Sequence, residues 1–118
     1  MCVPRETAAN CVRKQSKIVS IFGGSKLGVS EDFDVEANKW SRIRASYINC
    51  EQKDLEHIDT AALLNEYIYM TGNYYSGIVK YNVKSHIFHE MGIAKSKVYK
   101  TIIAYDTRLL LFTDEELF

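Results

Sequence analysis

Residues 17–43 read KIVSIFGGSKLGVSEDFDVEANKWSRI, and the predicted fold is built outward from this stretch. Its apolar run at 18–22 is rich in β-branched and aromatic residues, which is typical of a buried strand. The run ends at Gly23 and Gly24, which permit positive φ and a close approach to a neighbouring backbone. The sequence therefore predicts a strand that ends in a sharp turn at the glycine pair.

The second half of the stretch predicts two further strands. One lies around Phe33 and is followed by residues 34–38, DVEAN, a cluster of turn formers. The other covers residues 39–43 and contains Trp40, the single tryptophan of the chain. The predicted unit is thus a strand, a glycine pair, a strand, a turn and a tryptophan strand.

This unit recurs further along the chain. Residues 66–72 (EYIYMTG) repeat the first strand, and residues 81–91 (YNVKSHIFHEM) repeat the segment from Phe33 onward. The spacing is regular, since Gly72 minus Gly23 is 49 and Phe88 minus Trp40 is 48. In this second copy the glycine pair becomes Gly72-Asn73, and Asn also tolerates the left-handed turn conformation.

A third copy begins at Thr101. There TIIAYDTRLLLFTD follows TAALLNEYIYMTGN with a spacing of 41, which is Thr101 minus Thr60. The glycine pair is replaced by Thr113 and Asp114, so the motif decays toward the end of the sequence.

A repeat near ~50 residues with a glycine pair and a tryptophan strand resembles the kelch repeat, in which each repeat forms one propeller blade. The chain is most similar to the kelch-like adaptors that also carry BTB and BACK domains, and the similarity covers residues 17–113. The resemblance implies an all-β fold, a partial kelch propeller of about two and a half four-stranded antiparallel blades. Its structural motif residues would be Gly23, Gly24, Trp40, Gly72, Asn73 and Phe88.

The repeats divide the sequence into four parts. Residues 1–16 are interpreted as a leader or linker, 17–57 as a first repeat that lacks a clear inner strand and ends in an inter-blade loop, 58–99 as a second repeat, and 100–118 as a truncated third repeat. A degenerate inner strand at residues 7–11 is the alternative for the leader. Because propellers generally close with 4–8 blades, we expect a fragment, a truncated product or one part of an assembly.

Composition excludes several classes of function. Fifteen basic and fifteen acidic residues cancel, so charge does not indicate a nucleic acid or membrane partner. The sequence has no apolar run long enough to span a membrane and no signal peptide. Three cysteines without CxxC spacing predict free thiols in a reducing, cytoplasmic compartment.

The sequence predicts neither an enzyme nor a cofactor or metal site. Residues 23–26, GGSK, lack the spacing of a phosphate-binding loop. His86 and His89 are three apart, which on one face of a helix would suit a metal, but on the predicted strand they point to opposite faces.

Two loops are the candidate partner-binding segments. In kelch adaptors the connection corresponding to residues 44–56 lies on a rim that contacts ligand, which makes Tyr47, Glu51 and Lys53 candidates; the alternative is a merely solvated loop. The adjacent Tyr74 and Tyr75 suit protein contact, although packing between blades explains them equally well.

The resemblance implies a non-enzymatic protein-binding fragment, similar to the substrate-binding part of BTB-kelch adaptors of cullin ubiquitin ligases but without BTB and BACK parts. It would hold an unidentified protein partner and would not recruit the ligase by itself. The alternative is a non-functional or structural remnant of a truncated kelch-like gene that self-associates, and a weaker alternative is actin binding. Truncated kelch-like chains are found in poxviruses, to which the sequence looks similar.

Overall fold

In a computed structural model the described part of the chain is mostly β-strand with almost no helix, which confirms the predicted all-β class. The structure describes the backbone of residues 10–15, 17–72, 75–91 and 101–112, and the side chains from residue 17 onward in these ranges except those of 75 and 76. None of the helices in these ranges is long and apolar enough to cross a membrane. The elements are β1 Asn10–Gln15, β2 Ile18–Phe22, β3 Glu31–Asp34, β4 Lys39–Arg42, β5 Ser46–Ile48, a 3-10 helix Gln52–His57, β6 Thr60–Leu64, β7 Tyr67–Gly72, β8 Tyr75–Asn82, β9 Ile87–Glu90, β10 Thr101–Tyr105 and β11 Arg108–Phe112.

The first sheet is an antiparallel meander in the order β1-β2-β3-β4. Its first strand, Asn10–Gln15, corrects the leader interpretation for these residues and the expectation that the first repeat lacks an inner strand, because it pairs along β2 with Cys11 opposite Ile21. It overlaps the alternative inner strand at 7–11 in residues 10 and 11, and residues 7–9 lie outside the described residues. The strand NCVRKQ has only two apolar residues, so its pattern gives little signal. Its pairing uses backbone N–H and C=O groups, which every residue except proline supplies in full.

The second sheet contains the antiparallel meander β6-β7-β8-β9 and a fifth strand. Strand β5 runs parallel to β9, with Tyr47 opposite Phe88. The predicted inter-blade loop at 44–56 is therefore partly a strand, and this strand belongs to the second sheet rather than to the first repeat. The neighbouring ring of Phe88 explains the pairing, because Tyr47 stacks on it.

A third sheet, described as the two-stranded hairpin β10–β11, repeats the geometry of β6–β7. Both hairpins turn over two residues, and the first turn residue has positive φ in each: 58° at Asn65 and 57° at Asp106. Asn and Asp adopt this conformation more readily than other non-glycine residues. The 41-residue spacing of the sequence is therefore matched by the same turn.

The turns before β4 and β9 are also built alike. The Asp34 carboxylate accepts a hydrogen bond from the Ala37 backbone at 3.0 Å, and the Asn82 side chain accepts the equivalent bond from the Ser85 backbone at 3.1 Å. Each turn ends in a residue with positive φ, which is His86 in the second sheet. Hence His86 lies in a turn and not, as predicted, in the same strand as His89.

The main core lies between the first and second sheets. Phe22 is its contribution from the first sheet, Leu55 and Ile58 come from the connection, and the second sheet supplies the fully buried residues Ile68, Met70, Val79, Tyr81 and Phe88. A smaller cluster around Ile78 and Ile102 joins the second sheet to the hairpin. The second sheet is therefore packed on both faces.

The two aromatic residues of the repeat motif have different environments. Phe88 is fully buried, whereas Trp40 is only partly buried and packs on Phe33 of its own sheet, with ring centroids 4.8 Å apart. The kelch resemblance predicts that Trp40 is mostly buried against a neighbouring blade. Among the described residues no other sheet covers it, because the face of the first sheet that carries Trp40 points away from the second sheet.

Candidate functional site

Two connections meet at one end of the first sheet, where the strands β2 and β4 both end. Residues 23–30 join β2 to β3, and residues 43–59 lead from β4 to β6. Because β2 and β4 run in the same direction in the meander, both connections begin at the same end of the sheet. Backbone hydrogen bonds hold this end together: Gly24 donates to Glu56 and Ile43 donates to Ser30, both at 2.9 Å. We call the two connections together the loop edge.

Glycines allow the two connections to touch. At Gly23, with φ of 80°, a Cβ atom would lie 1.8 Å from the carbonyl oxygen of Ile58, and at Gly28 it would lie 1.8 Å from that of Gln52. Gly72 of the second sheet lacks positive φ but is equally close, at 1.8 Å, to the carbonyl oxygen of His57. The repeated glycines of both sheets therefore flank the same short segment, 57–58.

The 3-10 helix fixes the outer part of the loop edge. Leu55 is fully buried and anchors the helix in the main core. At its start the Glu51 backbone donates to the Asp54 carboxylate at 2.9 Å. The helix thereby presents Gln52, whose side-chain amide donates to the Leu27 carbonyl at 3.0 Å.

An open depression of about 600 Å³ lies in the loop edge. Its polar lining includes Arg42 and Arg44, both exposed, with Ser41 and Gln52 beside them; Val29, Ile43 and Ala45 line the rest. Among the described residues no aspartate or glutamate lines it. Arginine forms paired hydrogen bonds to carboxylates, so this surface is suited to an acidic group.

An exposed apolar side chain lies beside the depression. Leu27 is 69% exposed and is tied to Gln52 through its carbonyl. An exposed leucine beside a depression lined by two arginines offers a partner both an apolar and a charged contact. The loop edge therefore has the chemistry of a small protein-contact surface.

Tyr47, predicted to contact a partner, packs inside the fold. Its ring is half-buried and stacks on Phe88 at 5.1 Å with an angle of 5° between the planes. Its hydroxyl lies 3.4 Å from the Gln52 side-chain oxygen, to which it donates. Burial, and to a lesser extent nearby Cys50, raises the pKa of Tyr47.

The remaining predicted contact residues are more dispersed. Glu51 and Lys53 are exposed at the loop edge and pair with each other at 3.2 Å. Tyr75 pairs with Gly72 in the sheet, and Tyr74 and Asn73 lie outside the described residues. The structure thus places Glu51 and Lys53 near the depression, whereas Tyr47 has a packing role.

Sequence reasoning singled out the connection at 44–56, which supplies Arg44 and Gln52 to the lining of the depression, but it did not single out these two residues. Arg42 and Arg44 flank the end of a strand, and Leu27 lies in another loop, so only the fold brings them together. The available signal was a basic residue on each side of Ile43. That these two arginines line a depression could not be inferred, because Gln52, which lines it with them, is brought there only by the fold.

Cys50 is a free thiol directed into the fold. Its sulfur donates to the Phe88 carbonyl at 3.9 Å, and burial raises its pKa. A raised pKa leaves little thiolate at neutral pH. Within the ranges that the structure describes, no group of three or more histidine, cysteine, aspartate or glutamate side chains is arranged to hold a metal ion.

Comparison of the chain with protein-family models gives no match, and comparison with curated proteins gives none either.

Proposed function

We propose that the chain is a non-enzymatic protein-binding segment of a kelch-type β-propeller, and that its loop edge binds an acidic segment of a protein partner. The observation that carries this proposal is the depression between two loops, which exposes two arginines and has Leu27 at its side. Four-stranded antiparallel meanders and the recurring turns support the blade interpretation. The proposed compartment is the cytoplasm, in keeping with cysteines that lack disulfide-type spacing.

The charges around the depression favour an acidic partner. Arg42 and Arg44 are exposed, and the nearest described ion pair, Glu51 with Lys53, is already internally neutralised. Exposed ion pairs contribute only ~0.2–1 kcal/mol each. Charge would therefore set the preference of the site, while contact with Leu27 adds apolar area.

A peptide selection tests the proposal. A phage library of random short peptides is selected on the wild-type chain and on Arg42→Glu/Arg44→Glu, and binding of the enriched peptides is measured by fluorescence anisotropy. We expect peptides rich in aspartate and glutamate, bound roughly 2- to 30-fold more weakly by the double variant if two exposed ion pairs are lost.

The matched control is Lys39→Glu/Lys84→Glu, which changes the net charge equally at exposed positions outside the depression. It should retain the affinity. Absence of enriched peptides, or equal loss of affinity in both double variants, would contradict binding at the loop edge.

A further inference from the structure

The hairpin β10–β11 has an apolar outer face. Ile102 and Leu111 point toward the second sheet, so alternation along the strands turns their neighbours outward. Three of these neighbours are large and exposed: Ile103 at 45%, Leu110 at 38% and Phe112 at 44%. We call these three residues the hairpin face.

The first sheet has an apolar face on its side away from the second sheet. Val19, Phe33 and Trp40 lie directly opposite one another across β2, β3 and β4 and so share one face. Phe22, three positions after Val19 in the same strand, points the other way, into the main core. We call Val19, Phe33 and Trp40 the tryptophan face; all three are partly exposed.

The second sheet shows how such a face is covered. Ile68, Tyr81 and Phe88 occupy the positions of the tryptophan face, displaced by 49 residues in the first case and 48 in the others. All three are fully buried. Phe22 of the first sheet packs on two of them, with its ring 6.0 Å from Tyr81 and 6.1 Å from Phe88 in edge-on geometry. Leu55 and Ile58 of the connection complete the same cluster.

The hairpin face carries an aromatic ring at the position that Phe22 holds in the first sheet. Phe22 corresponds to Thr71 at the 49-residue spacing, and Thr71 corresponds to Phe112 at the 41-residue spacing. In the contact between the first and second sheets, Phe22 forms one side, and the hairpin face corresponds to that side. Tyr81 and Phe88 form the other side of this contact, and the tryptophan face corresponds to them.

We infer that the partner of these two faces is a second copy of the chain. The hairpin face of one copy packs on the tryptophan face of the next, and Phe112 contacts Phe33 and Trp40 as Phe22 contacts Tyr81 and Phe88. The two faces are different surfaces, so the contact is head-to-tail and produces open chains or closed rings. This contact is independent of the loop edge and does not rest on the proposed peptide binding.

A second copy fits better than an unrelated partner because one sequence contains both the hairpin face and the tryptophan face, which correspond to the two sides of the contact between the first and second sheets. Both faces consist of aliphatic and aromatic side chains, and aromatic pairs gain from edge-on contact. Apolar patches of this kind mark interaction surfaces on soluble proteins.

Sedimentation velocity over a range of micromolar concentrations tests the inference. The wild-type chain should show a sedimentation coefficient that rises with concentration. Phe112→Glu should lose this dependence, because a charge on the hairpin face removes one half of the contact. As Phe112 is half exposed, the variant should keep the circular dichroism spectrum and melting temperature of the wild-type monomer.

A mixing experiment separates head-to-tail contact from other modes. Trp40→Glu should be monomeric alone, like Phe112→Glu, but an equimolar mixture of the two should form a dimer, because each supplies the face that the other lacks. Added to wild type, Phe112→Glu should shorten the oligomers by capping one end, a result that holds even if Trp40→Glu proves unstable.

The matched control is Ile48→Glu, since Ile48 is also 44% exposed but lies on neither face. It should associate like wild type. A wild-type chain that stays monomeric at all concentrations, or a Phe112→Glu chain that still dimerises with itself, would overturn the inference.

Discussion

The contrast between Phe88 and Trp40 gives a quantitative test of the packing. The two residues are equivalent in the repeat, and tryptophan is the larger side chain. In the structure, however, Phe88 contacts three rings, with centroid distances of 4.4 Å to Tyr81, 5.1 Å to Tyr47 and 6.1 Å to Phe22. Trp40 is partly exposed and has a single described ring contact, with Phe33. We expect Phe88→Ala to be much more destabilising than Trp40→Ala.

The magnitudes follow from burial. Phe→Ala in a core costs ~3–5 kcal/mol, because the lost transfer energy is joined by the cavity that remains. For Trp40 the lost ring pair is worth roughly 0.5–1.5 kcal/mol, and its partial burial adds only part of a core residue's contribution. Against a total stability of ~5–15 kcal/mol, the first change is severe and the second is moderate.

Urea unfolding followed by far-ultraviolet circular dichroism measures both variants with one probe, which fluorescence cannot do once the single tryptophan is removed. All samples are held at one low micromolar concentration, because self-association would add to apparent stability. With a slope of ~2 kcal/mol/M, a loss of ~4 kcal/mol lowers the midpoint by about 2 M. Equal midpoints for the two variants would refute the assignment of Phe88, rather than Trp40, to the core.

Two further predictions concern the glycines and the buried tyrosine. Gly23→Ala and Gly72→Ala both force a Cβ to 1.8 Å from a carbonyl oxygen. Only Gly23 has positive φ, so Gly23→Ala should lose an extra ~1–2 kcal/mol of unfolding free energy and melt at a lower temperature. Equal thermal melts would contradict this. Burial, and to a lesser extent Asp32, raises the pKa of Tyr81 above its usual 10.0. The folded chain therefore binds this proton more tightly than the unfolded chain does, so its contribution to stability is complete below about pH 10 and declines as pH rises further. In urea titrations at increasing pH, Tyr81→Phe should show a shallower alkaline decline than wild type, and an unchanged decline would show that Tyr81 is not responsible.

The features that were predictable from sequence are those set by local chemistry. The run at 18–22, the turn residues Asn65 and Asp34, and the positive φ of Gly23 each follow from the conformational preferences of the residues themselves. The recurrence of these signals predicted that the strand pattern of the first sheet returns in the second, but not the added strand β5. The all-β class was therefore accessible from sequence.

The features that were missed depend on partners distant in sequence. Strand β1 forms because β2 offers it a free edge, and β5 forms because Phe88 lies where Tyr47 can stack. The lower burial of Trp40 has the same origin, since no local signal tells which face of a strand a neighbouring sheet will cover. The depression likewise unites residues from strands and loops that only the tertiary fold brings together.

The loop edge and the two apolar faces are compatible with each other. In a meander the loops lie at the ends of the strands, and the side chains lie on the two faces of the sheet. Packing between the faces of two copies therefore leaves the loop edge of each copy free. Within the chain, Gly23 of the first sheet and Gly72 of the second lie against the same segment, 57–58, so consecutive sheets direct these loops to the same side. If the contact between copies repeats the contact between sheets, successive copies also direct their arginine-lined depressions to one side. An acidic partner with several binding segments would then engage more than one depression, and its second contact would form at the high effective concentration that linkage provides.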